Sequence, residues 1–189
     1  MATETFANDR VKQFETVIHW VQVATKQVFE TMLNLEIECG PVRSDQRTSV
    51  QSAGIMAMVG MAGAVSGNGC LCFSKRFACL LASRFLMTEY TEVDDDVLDA
   101  VAELSNMVVG SLKTVLEEKS GPMGLSVPTV VCGENYLTRT AAIGDRFVLD
   151  FKCNTGGQHE EFVITVCLIT EQKNRNYLNE LAEFHARLA

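Results

Sequence analysis

Residues 94–118, DDDVLDAVAELSNMVVGSLKTVLEE, constrain the fold more than any other stretch, because they read as one helix of about seven turns. Asp94, Asp95 and Asp96 supply an acidic start that accepts from free backbone N–H groups and suits the positive end of the helix dipole. At roughly 100° per residue, Val97, Val101, Leu104, Val108, Leu112 and Val115 share one side. Asp99, Glu103, Asn106, Gly110 and Lys113 share the other, at steps of four, three, four and three. The apolar stripe explains why the helix packs. Two members of the polar stripe are costly in a helix interior: Asn by roughly 0.5–0.7 kcal/mol and Gly by about 1 kcal/mol relative to Ala. A merely solvated side could be made of Glu, Lys, Gln and Arg without that loss. Two readings stay open on this ground: a water-facing side, or a bare patch beside a fixed amide that suits close approach by another molecule.

The 189 residues fit one domain, 1–189, with a sizeable core. A net charge of −8 and a pI near 4.9, with no local basic cluster, argue against nucleic acid or an anionic membrane as partner. The N-terminal MATETFANDR lacks the basic start and apolar core of a signal peptide, and the most apolar run, 55–65, is too short to span a bilayer. A soluble, cytoplasmic protein is expected. Seven cysteines without a CxxC pair read mostly as small buried thiols, and Cys70 and Cys72 alternate on one strand face with no histidine near to complete a metal site. The histidines (His19, His159, His185) are scattered, so no Cys–His or Ser–His dyad can be assembled.

Periodicity predicts a first helix over 8–33, capped by Asn8 or Asp9, with Phe14, Val17, Val21, Ala24, Val28 and Met32 inward. Residues 36–44 read as an edge strand, since Pro41 cannot donate to a central ladder. Residues 49–65 and 69–73 read as a hairpin with Ser66-Gly67-Asn68-Gly69 as its turn. Both faces of the first of these strands are apolar or small, so it is expected to be covered on both sides or to lie at a subunit contact. Ser74 caps a helix over 75–87 whose Phe77, Leu80, Leu81, Phe85 and Leu86 face the core. A loop over 119–124 follows the long helix, then strands near 127–135, 146–152 and 162–170, the last two joined by a turn at 154–158, and a final amphipathic helix over 173–187. This order predicts an α+β sandwich: a largely antiparallel sheet packed with long helices. No glycine-rich phosphate loop is present.

The pattern Asp99-x3-Glu103-Leu104-Ser105-Asn106-Met107-x2-Gly110 resembles the signature helix of the CheC/CheX/FliY class of bacterial chemotaxis phosphatases. Ser126-Val127-Pro128-Thr129-Val130-Val131-Cys132-Gly133 is similar to the Ser-x-Pro-x-Val-x-x-Gly strand that follows that helix in the CheX branch. The glycine-rich segment from Val59 through Gly67 to Phe73-Ser74 is similar to the hairpin that precedes it. One signature helix points to CheX over CheC, and the lack of a flagellar-switch domain counts against FliY. The resemblance implies that family's fold, a homodimer, and hydrolysis of the aspartyl phosphate on a CheY-like response regulator. It assigns Asn106 to direct the attacking water and Glu103 to engage a lysine beside the partner's phosphorylation site. Asp99, Gly110 and Lys113 fall on the partner-binding edge. No cofactor of its own is implied, Mg²⁺ being expected in the partner receiver domain. A catalytically silent receiver-binding or scaffold module, and a small-molecule-binding domain built on the glycine-rich hairpin, stand as alternatives.

Overall fold

In the computed structural model, which describes residues 14–45, 47, 49–139, 144–155 and 159–169, alternation of side chains along seven strands decides which face of one sheet is buried. The elements run α1 (Glu15–Leu33), β1 (Ile37–Ser44), β2 (Ser49–Gly63), β3 (Ser66–Phe73), α2 (Lys75–Leu86), α3 (Asp95–Ser120), β4 (Met123–Leu125), β5 (Thr129–Arg139), β6 (Asp145–Asn154) and β7 (His159–Ile169). Every pairing is antiparallel, in the order β1-β6-β7-β3-β2, with β4 and β5 dividing the remaining edge of β2 between them. Ile55, Ala57 and Val59 of β2, Leu71 of β3, Phe151 of β6 and Phe162 of β7 line the face under the helices and are almost wholly buried. Phe29 of α1 stacks flat on Phe162 at 4.8 Å, and Phe162 stacks on Phe151 at 5.0 Å, so three elements share one aromatic column.

The expected α+β architecture is found, with physical reasons for the details that differ. The inward side of α1 is Ile18, Val21, Thr25, Val28 and Phe29, while Met32 is 40% exposed. The expected Val21, Ala24 and Val28 are buried, and Thr25, Phe29 and Leu33 widen the stripe on one side, with Phe29 at its centre. Leu86, expected inside, is 40% exposed because it ends α2 beside Met87, which takes the left-handed conformation. Pro41 sits where the register of edge strand β1 shifts, as a residue without an N–H must. Ser66-Gly67-Asn68-Gly69 is not the hairpin turn; those residues pair within β3, and the chain reverses at Ala64-Val65. The glycines there serve close approach: a Cβ on Gly67 would lie 2.1 Å from the Cys167 carbonyl oxygen, and one on Gly69 2.6 Å from Val109 Cγ2 of α3. The expected loop over 119–124 contains the short β4, and β5 starts at Thr129, just after Pro128. The capping residues Asn8 and Asp9 and the helix over 173–187 lie outside the described residues.

Candidate functional site

Helix α3 is held in place by its apolar side and presents its polar stripe outward. Asp94 caps it, its Oδ1 accepting from the Val97 N–H at 2.9 Å. Val97, Val101, Leu104, Val108 and Leu112 are at most 2% exposed, wedged between α1, α2 and β2. Ser105, also fully buried, donates to the Val101 carbonyl at 2.8 Å, so the one hydroxyl inside the motif is spent within the helix.

On the opposite side the five stripe residues fall into two groups. Asp99 and Glu103 are exposed and Asn106 half-buried, and none makes a hydrogen bond or ion pair with another described residue. Glu103 and Asn106 are three residues apart on one helix, which brings their Cβ atoms to roughly 5–6 Å. A carboxylate and an amide thus stand side by side with all their hydrogen-bonding capacity unspent. Lys113 is already engaged: its ammonium pairs with Glu117, whose other carboxylate oxygen accepts from the Met123 N–H at 2.8 Å. These two donors, the Lys113 side chain first, hold the Glu117 carboxyl below the usual glutamate range. Lys113 therefore supports the carboxylate by which Glu117 ties β4 to the helix; the Lys113–Glu117 pair follows from helical spacing, and the bond to Met123 does not.

Gly110 lies between the groups. A Cβ there would meet only Leu125 Cδ1, at an ordinary 3.7 Å. Packing against the described residues does not demand glycine at this position, although glycine costs helix stability. Leu125 is held there by its neighbour: the Ser126 N–H donates to the Gly60 carbonyl at 2.9 Å, and the Ser126 hydroxyl accepts from the Gly60 N–H at 2.9 Å. This reciprocal clamp fixes the segment before β5 against β2 and leaves Val127 82% exposed next to it. The serine of the Ser-x-Pro pattern marked this segment in the sequence, but its partner did not.

Other chemistry has little support on this chain. Among the described residues, no three His, Cys, Asp or Glu side chains converge as a metal ion requires. Burial pushes the Cys70 thiol up to about 12 and the Cys72 thiol to about 11, so both stay protonated and non-nucleophilic at neutral pH. No helix of the described residues is long and apolar enough to cross a membrane. The start of α3, with Asp94, Asp95, Asp96, Asp99 and Glu103 all exposed, forms an acidic approach to the Glu103–Asn106 pair.

Known proteins resemble the chain through this same region. A CheY-P phosphatase CheX from Thermotoga maritima is 28% identical over 120 residues, covering 61% of this chain and 77% of that protein. The fold matches that of a chemotaxis protein CheX from Desulfovibrio desulfuricans with a TM-score of 0.71 at 24% identity, over 81% of this chain and 99% of the other. It also matches a chain of the CheX-CheY-BeF3-Mg²⁺ complex from Borrelia burgdorferi, with a TM-score of 0.66 at 22% identity over 80% and 97% of the two chains. The family model of the chemotaxis phosphatase CheX matches residues 55–152, which run from the buried part of β2 through the Glu103–Asn106 helix to β6, and the chain belongs to that family.

Proposed function

We propose that this chain hydrolyses the aspartyl phosphate of a CheY-like response regulator, with Asn106 orienting the attacking water and Glu103 binding a lysine beside the phosphoryl group. The observation that carries the reading is the adjacency of Glu103 and Asn106 on the open edge of α3, neither side chain having a partner among the described residues. The family's phosphatase activity and the likeness to a CheX seen in complex with CheY point the same way.

The residue types suit the chemistry. An acyl phosphate is already activated and its transition state is loose, so alignment of the nucleophile and charge stabilisation matter more than a strong base. The water oxygen attacks phosphorus in line as the bond to the aspartyl oxygen breaks; the carboxylate is regenerated, and inorganic phosphate leaves carrying both of the water's protons, one of which it can then release to solvent. An amide such as Asn106 holds that water through its carbonyl oxygen without any need for a tuned pKa, as a glutamine does in GTPases. Mg²⁺ belongs to the receiver's side of this joint site, and this chain contributes no cofactor of its own. Glu103 meets the receiver's lysine as an ion pair that is desolvated on docking. Asp99 and the acidic start of α3 steer a basic receiver surface toward the pair, and Gly110 admits its backbone. Lys113 acts through the β4 tie and not by contact.

The reading places the protein in the cytoplasm with its receiver, as a homodimer. Support for the dimer is the open edge of β5, an eleven-residue strand that pairs β2 on one side and no strand on the other among the described residues, with Leu137 68% exposed on it. The test is loss of phosphate from a phosphorylated receiver with and without the protein. Acceleration supports the phosphatase. Binding without acceleration supports a silent receiver-binding module.

A further inference from the structure

The sheet has a second face, away from the helices, and its chemistry is unlike that of the α3 edge. The register shift between Ser52 and Gly54 bends β2, as bulges do, and Gly54 there has φ of +90°. Beyond the bend, Val50, Ser52 and Thr138 line the same hollow as Met56 and Met58 before it. The hollow has a volume of about 410 Å³, within the range of small-molecule sites. Its floor is apolar: Met56, Met58, Cys70, Val148 and Val163. The thiols of Cys70 and Cys72 are neutral at physiological pH, so they add no negative charge.

The rim reverses the charge of the protein. In a chain of net charge −8, Arg43, Arg47, Arg139 and Arg146 gather around this hollow. Arg43 is neutralised by Asp150, and Arg47 by Asp45 at 2.9 Å. Arg139 and Arg146 make no ion pair among the described residues, although the Asp45 carboxylate, shared with Arg47, acts on Arg146 from beyond ion-pair distance. Arg146 Nη1 donates to the Arg47 carbonyl at 3.1 Å, while its Nε is buried without a hydrogen-bond partner among the described residues. The other buried polar atom that lacks a partner among the described residues is the hydroxyl of Tyr136, which stands opposite Ser52 in register and so on this same face. Buried donors are paired in native proteins, at a cost of about 1–3 kcal/mol for each one that is not. An Arg146 Nε without a partner among the described residues and two guanidinium groups outside any ion pair, set over an apolar floor, describe the complement of one ligand class.

We propose that this hollow is a binding site for a small organic anion with an apolar body, its carboxylate or comparable head group held by Arg146 and Arg139 and its hydrocarbon part laid on Met56, Met58, Val148 and Val163. The site is separate from the α3 edge, on the opposite face of the sheet, and does not depend on the phosphatase reading.

The test is isothermal titration calorimetry with octanoate as probe and octanol as its uncharged control. Octanoate binds the wild-type chain at one site per chain, and octanol at least about tenfold more weakly, the head-group pairing supplying that difference. Arg139→Gln, at an exposed position whose side chain has no partner among the described residues, and Arg146→Gln each weaken octanoate by about tenfold or more while leaving octanol unchanged. Thermal melting of both variants confirms that they fold; the Arg139→Gln result stands if Arg146→Gln melts early. Absence of octanoate binding at millimolar concentration overturns the proposal, as does equal binding of octanoate by wild type and Arg139→Gln.

Discussion

Replacing Gly110 by alanine separates two reasons for a glycine in mid-helix. If the chain itself needed the space, a Cβ would collide with a neighbour; among the described residues the only heavy atom near its position outside the helix's own backbone is Leu125 Cδ1 at 3.7 Å, a normal contact. The substitution then recovers helix propensity, about 0.5–1 kcal/mol, by reducing the freedom of the unfolded chain and adding one methyl contact. For a domain of this size that is a rise in Tm of roughly 1–4 °C, measurable by calorimetry. The same methyl projects from the edge where the receiver approaches, so dephosphorylation of a phosphorylated receiver falls even though the protein is more stable, chiefly through a weaker apparent affinity. Stabilisation with loss of activity is the predicted pair of results. A lower Tm would refute the packing argument, and unchanged activity with unchanged affinity would refute the assignment of Gly110 to the docking edge.

Gly69→Ala makes the contrasting case: its Cβ would fall 2.6 Å from Val109 Cγ2 beneath α3, and overpacking of this kind costs about 1–3 kcal/mol, visible as a lowered midpoint in urea. Glu103→Lys reverses the charge that meets the receiver's lysine on an exposed position, so binding to the phosphorylated receiver, followed by surface plasmon resonance, drops at least about tenfold while the melt is unchanged. Glu117 gives a pH signature. Its folded carboxyl is depressed below the usual 4.5 by Lys113 and the Met123 N–H, so its stabilising contribution is present above that value and is lost as pH falls through the lower folded value. Melting temperatures compared at pH 7 and pH 3 show a larger acid-induced drop for wild type than for Glu117→Gln, and equal drops would contradict the β4 tie.

What could be read from the sequence alone follows the range of the interactions. Helix α3, its Asp94 cap and both of its stripes depend on residues within a few turns of each other, and all were legible. So was the edge position of β1, because Pro41 carries its reason in its own covalent structure. The hairpin turn was misplaced because Gly67 and Gly69 look like turn residues locally, whereas their cause is a carbonyl on β7 and a valine on α3 about a hundred and about forty residues away. Spacing puts Lys113 on the stripe; the fold adds that its partner Glu117 also accepts from the Met123 N–H of β4. In the same way the arginine-rimmed hollow draws on β1, β5 and β6, which no local window joins. Glu103 and Asn106 were legible as a pair because a helix fixes their adjacency.

The central claim is that Asn106 aligns the water and Glu103 docks the receiver. Single-turnover loss of phosphate from a phosphorylated CheY-like receiver, at saturating concentrations of this protein, measures the chemical step apart from binding. The wild-type chain accelerates it, and Asn106→Ala, with an unchanged melting curve and unchanged receiver affinity, is slower by on the order of 10²–10³, the usual loss for one positioned polar group. Asn106→Ala hydrolysing the acyl phosphate at the wild-type rate would contradict the mechanism outright.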